Sequence, residues 1–252
     1  MNAAAAEKRE TPASAWSASS RFALYFAPSR GSAWWRAGCV WLGRDAESGE
    51  TLESPQPAGL ARPLAELTRE PWRYGWHGTL VAPFHLASGV SPDDLLEVTR
   101  RWAAARAPFP VNVEAATLGR FVALRPADET GTAALRELAS DALRMLGPLR
   151  AALSEADLAR RLDTPLTERQ RALLAEWGYP YVFDEFRFHM TLSGPLDDAR
   201  ERDLLRDEWA TRRQPEGALP VESVALFVEP ARGEPFVLWK RVTLGERREQ
   251  HV

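Results

Sequence analysis

The sequence predicts an α+β protein of two pseudo-symmetric lobes, with mainly antiparallel sheets forming a central cleft and helices on the outside. Two observations predict this architecture. Strand patterns and amphipathic-helix patterns follow one another from residue 21 to residue 245, and a His-x-Thr-Leu motif occurs twice, at WHGTL (76–80) and FHMTL (188–192). A capped helix and then paired strands follow each copy, so a weak internal duplication accounts for both observations.

The first part of the chain predicts two strands separated by an irregular segment. RFALYFAP (21–28) has the apolar run of a buried strand. WHGTLVAP (76–83) predicts a second strand, which Pro83 should stop because proline cannot donate a hydrogen bond to a sheet. Residues 45–70, between these strands, mix turn-forming residues with the pattern of a short helix.

The segment after the first motif predicts two helices around a strand pair. Ser91 has the position of an N-cap, with Pro92 at the first helical position. Residues 110–126 predict two strands broken at Gly119. The apolar positions of TAALRELASDALRMLG (132–147) then repeat at helical spacing along one face.

A helical insertion, residues 149–180, precedes the second motif, and Thr167 and Gln170 within it have the spacing of a capping box. Because the insertion enters directly before FHMTL, we expect it to act as a lid or specificity element. After the motif, the sequence predicts a helix capped at Asp198 and a terminal hairpin over residues 220–245.

The domain organisation predicted is one bilobal domain over residues 21–245, with a flexible tail at 1–20 and a polar tail at 246–252. The first tail places four charged residues, at 7–10, where a secretory signal would need its apolar core. No stretch approaches the roughly 20 apolar residues of a membrane helix. We therefore expect a cytoplasmic monomer without a membrane partner.

The overall charge limits the ligands that the protein can attract. The net charge is −3 and the isoelectric point about 5.9, so no global positive field would recruit long nucleic acid. A small phosphorylated molecule or a short RNA end remains an open class of ligand. Cys39 is the only cysteine, which excludes an intrachain disulfide and a multi-cysteine zinc site.

The paired motifs have a direct chemical interpretation. Side chains alternate across a strand, so His77 and Thr79 share one face, and His189 and Thr191 share one face in the second copy. If both faces line one cleft, two imidazoles can serve as general base and general acid near neutrality. The two threonine hydroxyls can donate to the oxygens of a phosphate ester held between them.

Simpler interpretations compete with this one. A single histidine on a half-buried strand is more often structural, and only the repetition favours catalysis. His77, His85 and His189 could in principle bind a metal, yet neither a His-Glu-x-x-His pattern nor an acidic cluster accompanies them, so we expect no metal. A P-loop and a dinucleotide fingerprint are absent as well, and we expect no cofactor.

Several other polar and aromatic residues lie near the motifs. His85 follows Pro83 and is expected to be structural or at the surface, and His251 is expected to be exposed in the polar tail. Arg187 shares the face of His189, where it could meet either a phosphate oxygen or an acidic neighbour. Three tyrosines could line the cleft or merely pack: Tyr25, Tyr179 and Tyr181.

The motifs resemble those of the two-histidine (2H) phosphoesterase superfamily, which carries a pair of His-x-Thr/Ser-hydrophobic motifs on two lobes of one fold. Five segments further resemble an uncharacterised branch associated with phosphonate metabolism: RFALYFAP, WLGRDAESGE, YGWHGTLVAPFHL, LTERQRALLAEWGYPYV and FRFHMTLSGPL. The resemblance covers nearly all of residues 21–245. Gly78 departs from the branch, where alanine is expected, but it should point away from the cleft.

The resemblance implies that His77 and His189 are the acid/base pair, and that Thr79 and Thr191 bind the phosphate. It implies a metal-independent, cyclic phosphodiesterase-like enzyme acting on a small or terminal cyclic phosphate ester. Which histidine is the base stays open, as does the choice between hydrolysis and ligation. The alternative is a non-catalytic phosphate-ester-binding or accessory protein of a phosphonate-utilisation system, which would use the same cleft without turnover.

Overall fold

A computed structural model describes residues 16, 17 and 19–245 of the chain. The strands are β1 Arg21–Phe26, β2 Gly78–Phe84, β3 Phe109–Val111, β4 Val113–Leu118, β5 Phe121–Pro126, β6 Met190–Thr191, β7 Leu219–Val221, β8 Ser223–Glu229 and β9 Val237–Thr243. The helices are α1 Ala33–Leu42, α2 Leu64–Leu67, α3 Arg69–Tyr74, α4 Pro92–Ala104, α5 Glu129–Leu146, α6 Glu155–Leu162, α7 Glu168–Trp177 and α8 Ala199–Glu208. Within this part of the chain no helix is long and apolar enough to cross a membrane.

Seven of the strands form one sheet in the order β4-β5-β6-β2-β1-β8-β9, and every pairing in it is antiparallel. The two motif strands, β2 and β6, are neighbours at its centre. The predicted α+β class with mainly antiparallel sheets is therefore confirmed. The helices pack around this sheet, with α4 against β9, α5 against β2, and α8 against β4 and β5.

The two lobes are not consecutive halves of the chain. The hairpin β4–β5 follows the first motif in sequence, yet β5 pairs with β6, the strand of the second motif. The hairpin β8–β9 follows the second motif, yet β8 pairs with β1, which in turn pairs with β2. The short strands that precede the two hairpins, β3 and β7, pair with each other in a separate sheet. Each half thus supplies its hairpin to the other half.

A cluster of three tryptophans, Trp41, Trp76 and Trp209, packs against both His-x-Thr-Leu motifs. Trp76 is fully buried, and its ring fills the space above Gly38 of α1, where a Cβ would lie 2.1 Å from the ring. Trp41 donates from Nε1 to the carbonyl of Leu192 at 2.7 Å, and Trp41 and Trp76 both pack on Trp209. Because Trp76 precedes the first motif histidine and Leu192 ends the second motif, α1 holds both motifs in place.

The structure contains the helices whose capping residues or apolar faces can be recognised in the sequence. Ser91 caps α4 and Thr167 caps α7, each with a complete capping box. The apolar face of α5 is buried as predicted, and the insertion at 149–180 is formed by α6 and α7. Asp198 caps α8 by accepting from the Arg200 amide.

The sequence patterns do not reveal helix α1. Its residues, AWWRAGCVWL, are largely apolar and six of them are buried, so no polar face marks the helical period. The local end signals are nevertheless present. Ser32 accepts from the Trp35 amide at the N-terminus, and Gly43 ends the helix in the left-handed region, with φ of 77°.

Pro83 does not stop the second strand, contrary to the prediction. β2 continues to Phe84, which faces Phe22 of β1, while Val81 faces Leu24. Two residues of β2 therefore lie opposite one residue of β1, which is a β-bulge. The bulge removes Pro83 from the hydrogen-bonded ladder, and this is one of the few ways that a sheet accepts proline.

Part of the segment predicted as a flexible tail is described, and it contacts the domain. Trp16 packs edge-on against Trp239 of β9, with ring centroids 6.3 Å apart. Ser20 is buried and donates to the carbonyl of Pro230 at 2.8 Å. Residues 1–15 and the predicted polar tail at 246–252, which includes His251, lie outside the described residues.

Candidate active site

One cavity of about 510 Å³ at the centre of the sheet is lined by all four motif residues, His77, Thr79, His189 and Thr191. The alternation that the sequence predicts accounts for this. His77, Thr79, His189 and Thr191 are half-buried on the cavity side, whereas their neighbours in each motif are buried on the opposite face. Both polar pairs therefore face the same space.

The pairing of β2 with β6 fixes how the two motifs meet. Gly78 faces Met190 in antiparallel register. Continuing this register places His77 opposite Thr191 and Thr79 opposite His189, which is a local twofold arrangement. Residues on one face that are directly opposite have Cβ atoms about 5 Å apart, and diagonal neighbours about 7–8 Å. In this register the two imidazoles are such a diagonal pair.

Both imidazoles are held by the same kind of hydrogen bond. Nδ1 of His77 lies 2.9 Å from the carbonyl of Gly75, and Nδ1 of His189 lies 2.9 Å from the carbonyl of Arg187. A carbonyl oxygen can only accept, so each Nδ1 carries the proton and donates. In the neutral form Nε2 is therefore the basic nitrogen of both rings. For His77 this nitrogen lies 3.4 Å from the hydroxyl of Thr79, at the cavity.

The two histidines differ in their surroundings. His77 stacks on Tyr25, with ring centroids 3.9 Å apart, and also lies near the rings of Tyr74 and Phe227. Among the described residues, His189 has one aromatic neighbour, Phe121, at 5.6 Å. The ring environment of His77 is thus the more apolar, and it disfavours the imidazolium form more strongly.

The pKa values follow this difference. The pKa of His77 is lowered to about 4, mainly by burial and to a smaller extent by the charge of His189, against the opposing effect of its hydrogen bond to Gly75. Burial also lowers the pKa of His189, which the hydrogen bond to Arg187 partly counters. Because the charge of His189 acts on His77, a proton on His189 makes a second proton on His77 less favourable.

Gly78 points away from the cavity, as the alternation requires. A Cβ at this position would lie 2.4 Å from the ring of Phe188, which is 5% exposed, and 3.3 Å from Met190. An alanine here would therefore displace a buried aromatic ring on the far side of the sheet. The departure from the related branch does not touch the cavity face.

Gly78→Ala is expected to lower the free energy of unfolding by about 1–3 kcal/mol, the usual cost of forcing extra volume into a packed core. The measurement is chemical denaturation of the purified variant. Gly147→Ala is the matched control, because a Cβ there meets none of the described atoms within 4 Å and its backbone is right-handed helical. Equal stability of the two variants would contradict the close contact with Phe188.

Of the other polar and aromatic residues near the motifs, some line the cavity and others do not. His85 donates from Nδ1 to the carbonyl of Ser20, 3.1 Å away, and does not line the cavity. The side chain of Arg187 is exposed and also lies outside the cavity lining. Tyr25 and Tyr179 line the cavity, whereas Tyr181 packs on Tyr179 and is 39% exposed.

The cavity lining also includes six charged, polar or aromatic residues that the sequence patterns do not single out: Arg21, Glu70, Tyr74, Phe121, Arg161 and Ser193. Ser193 could have been found, since it continues the alternation of His189 and Thr191. Arg21 starts the predicted first strand, and Arg161 belongs to the helical insertion. Their proximity to the motifs is a tertiary feature that no local pattern reports. Among the described residues, no group of three or more His, Cys, Asp and Glu side chains could hold a metal ion.

Comparison with known families matches residues 79–237 to the family described as "Protein of unknown function (DUF1045)". A protein of Laribacter hongkongensis (strain HLHK9), described as ribose 1,5-bisphosphate phosphokinase PhnN, is 41% identical over 236 residues, which are 89% of this chain and 52% of that protein. The chain spans about half the length of the curated relatives it matches.

Two solved structures align with most of the chain at low identity. TT0787 of Thermus thermophilus is 16% identical with a TM-score of 0.44, over 90% of this chain and 99% of that chain. Escherichia coli LigT, crystallised with NADP+, is 17% identical with a TM-score of 0.39, over 91% of this chain and 100% of that chain.

Proposed function

The chain belongs to the DUF1045 family, and from the paired motifs of its central cavity we infer that it is a 2H-type phosphoesterase. We propose that it acts without a metal on a small or terminal cyclic phosphate ester. The single observation that supports this most is the twofold arrangement of the two His-x-Thr pairs, which share one cavity. That arrangement offers one proton acceptor and one proton donor on opposite sides of a phosphorus atom.

His77 is the proposed general base, because its more apolar surroundings favour the neutral ring. Its Nε2 takes a proton from a water molecule as the water oxygen attacks phosphorus. The bond from phosphorus to one ring oxygen of the cyclic ester breaks, and that oxygen takes the proton of His189 Nε2. The product is an acyclic phosphomonoester, and proton exchange with solvent restores the starting state of the pair.

Thr79 and Thr191 are proposed to donate from their hydroxyls to the non-bridging phosphate oxygens. Each lies opposite the histidine of the other motif, so the hydroxyls are placed across the line that joins the imidazoles. Hydrogen bonds to a charged acceptor are among the stronger ones, and here they would strengthen as charge grows on the phosphorane oxygens.

The relatives suggest a metabolic setting, which is part of the proposal. They are described as ribose 1,5-bisphosphate phosphokinase PhnN, and this chain aligns with only about half of their length. The chain has no P-loop motif, so we assign the phosphokinase activity of those relatives to the part that this chain does not match. A phosphorylated ribose derivative in phosphonate metabolism is then a natural candidate for the cyclic ester.

The test is turnover by the purified protein of a panel of cyclic phosphates, which includes nucleoside 2′,3′-cyclic phosphates, RNA ending in a cyclic phosphate, and cyclic phosphates of ribose phosphates. Activity should survive treatment with a chelator. Loss of activity with the chelator, restored by a divalent ion, would replace the two-histidine mechanism with metal catalysis. Binding without turnover across the panel would favour the non-catalytic alternative.

The pH dependence of kcat/KM should be bell-shaped with its maximum below pH 6.5. The active free enzyme carries one proton on the histidine pair, so it exists only between the two apparent pKa values of the pair. Both histidines have pKa values lowered below their ordinary value. A protonated imidazole is therefore lost before neutrality is reached, and kcat/KM falls on the alkaline side.

The kcat profile should lie at higher pH than the kcat/KM profile, because a bound phosphate anion favours the protonated imidazole and raises the pKa values of the pair. Steady-state rates between pH 4 and pH 9 measure both profiles. A kcat/KM profile that is flat, or that peaks above pH 7, would contradict the titration of this pair.

A further inference from the structure

One wall of the central cavity is strongly basic. Arg21, at the start of β1, and Arg161, on helix α6 of the insertion, both line the cavity that contains the motif histidines. Both also line a neighbouring cavity of about 650 Å³, so they stand where the two spaces meet. Tyr179 lines the same side of the central cavity and lies under Arg161, with the guanidinium carbon 5.0 Å from the ring centroid.

The guanidinium of Arg161 is placed to receive an anion. It is partly buried, and desolvation lowers its pKa. Within the described chain, no carboxylate forms an ion pair with it. The nearest acidic residue on its own helix, Asp157, forms ion pairs with Arg160 and Arg232, and its charge acts on Arg161 only at longer range. Its contact with the Tyr179 ring offsets only part of the cost of burying an unpaired cation.

Arg21 adds positive charge to the same wall. It forms an ion pair with the buried Glu229, and Arg73 pairs with the same carboxylate. Two guanidiniums on one carboxylate leave a net positive charge there. Among the described residues, the one carboxylate in the lining of the cavity is that of Glu70, which is exposed and lies beside Gly194, after the second motif.

Resting on the proposed phosphoesterase function, we propose that Arg161 and Arg21 form a second anion subsite, and that the substrate carries a phosphomonoester group besides the ester that is cleaved. Guanidinium groups match the oxygens of a phosphate dianion in a bidentate way, which a single positive point charge does not. A cavity of about 510 Å³ lies within the range of about 300–1,000 Å³ that holds small ligands. The ligand class is thus a small, doubly phosphorylated molecule.

Binding of two product-like probes tests this without requiring turnover. The probes are adenosine 2′-monophosphate and adenosine 2′,5′-bisphosphate, which differ only in a second phosphate, and calorimetric titration gives both affinities. The wild-type protein should bind the bisphosphate at least tenfold more tightly. In Arg161→Gln this ratio should fall towards one, and Arg161→Lys should keep part of it.

Arg160→Gln is the matched control, because Arg160 neighbours Arg161 on α6 but its side chain is half exposed and does not line the cavity. The control should keep the wild-type ratio, and so should a double variant that lacks both motif histidines. A wild-type ratio near one, or an unchanged ratio in Arg161→Gln, would overturn the second subsite while leaving the phosphoesterase proposal standing. Failure of both probes to bind the wild type would overturn both.

Discussion

Replacing either cavity histidine by alanine should remove on the order of 10²–10⁴-fold of the turnover rate, the contribution usual for a positioned acid or base. His77→Ala removes the group that accepts the proton of water, and His189→Ala removes the group that protonates the leaving oxygen. The two losses should combine less than additively, since residues that act as a unit lose most of their joint effect when either is removed. Single-turnover rates on any cyclic phosphate that the protein opens provide the measurement.

His85→Ala is the control for this experiment. Its ring contacts the carbonyl of Ser20 and lies outside the central cavity, so its loss should leave turnover nearly unchanged. Thr79→Val and Thr191→Val should reduce turnover less than the cavity-histidine variants do and more than His85→Ala does. Each keeps the volume and strand preference of threonine but deletes one hydrogen bond to a charged acceptor, a loss of about 1.5–3 kcal/mol in transition-state binding.

The pattern of losses matters more than any single value. Similar mild losses at all five positions would contradict acid/base catalysis and favour a protein that binds phosphate esters without turnover. A large effect of His85→Ala would contradict the assignment of the cavity, because that side chain lines the neighbouring cavity and not the central one. A binding protein would lose affinity in the histidine variants, whereas an enzyme would lose kcat.

The four motif residues could be predicted because their signal is local and repeated. A strand alternates its side chains, so a histidine and a threonine two residues apart must share a face, and the duplication supplies the second pair. The sequence could not show that Gly78 and Met190 are direct neighbours, and this register is what creates the twofold arrangement. Strand pairing between such distant parts of the chain is decided by packing, not by either strand alone.

The basic wall illustrates what local reasoning cannot reach. Arg161 lies on an eight-residue helix of the insertion, and nothing in EADLARRL distinguishes it from its neighbour Arg160. Only the docking of that helix over Tyr179 turns one arginine to the cavity and leaves the other exposed. The sequence predicts that this insertion is a lid or specificity element. The insertion does place Arg161 and Tyr179 in the cavity lining, and its role stays a prediction.

The fold is predictable to the same degree, for related reasons. Helices with polar caps and a polar face, such as α4 and α7, can be found from the sequence, whereas the apolar helix α1 cannot. The exchange of hairpins between the two halves of the chain cannot be predicted from the sequence either, because β4–β5 and β8–β9 look alike as local patterns. Their placement depends on the strand with which each hairpin pairs, and tertiary contacts between distant parts of the chain decide that pairing.

Glu229→Gln should lower the free energy of unfolding at neutral pH. Breaking a buried ion pair costs about 3–5 kcal/mol, and the loss here should lie near the lower end of that range. Glu229 ends β8 with 0% exposure, accepts from the Gly233 amide at 3.0 Å, and pairs with Arg21 and Arg73. Glutamine keeps the shape but leaves both guanidiniums without their shared carboxylate. Because the arginines are 23% and 32% exposed, water compensates part of the loss.

The effect should depend on pH in a defined direction. Burial by itself raises the pKa of Glu229, but hydrogen bonds from Arg21 and Gly233 and the charges of Arg21 and Arg73 outweigh it, so the pKa is lowered. A carboxylate with a lowered pKa stabilises the fold fully above its unfolded pKa, and that contribution disappears as the pH falls through the folded value. The stability difference between wild type and Glu229→Gln should therefore be largest at neutral pH and shrink below about pH 4.5.

Urea denaturation at pH 7 and pH 4 measures this difference directly. Glu114→Gln is the matched control, since Glu114 also lies on a strand and pairs with Arg125, but both side chains are about half exposed. Its loss should cost less than about 1 kcal/mol at either pH, as for other surface ion pairs. A Glu229→Gln effect as small as that of Glu114→Gln, or one that grows as the pH falls, would show that the charge of Glu229 does not hold Arg21 in the cavity wall.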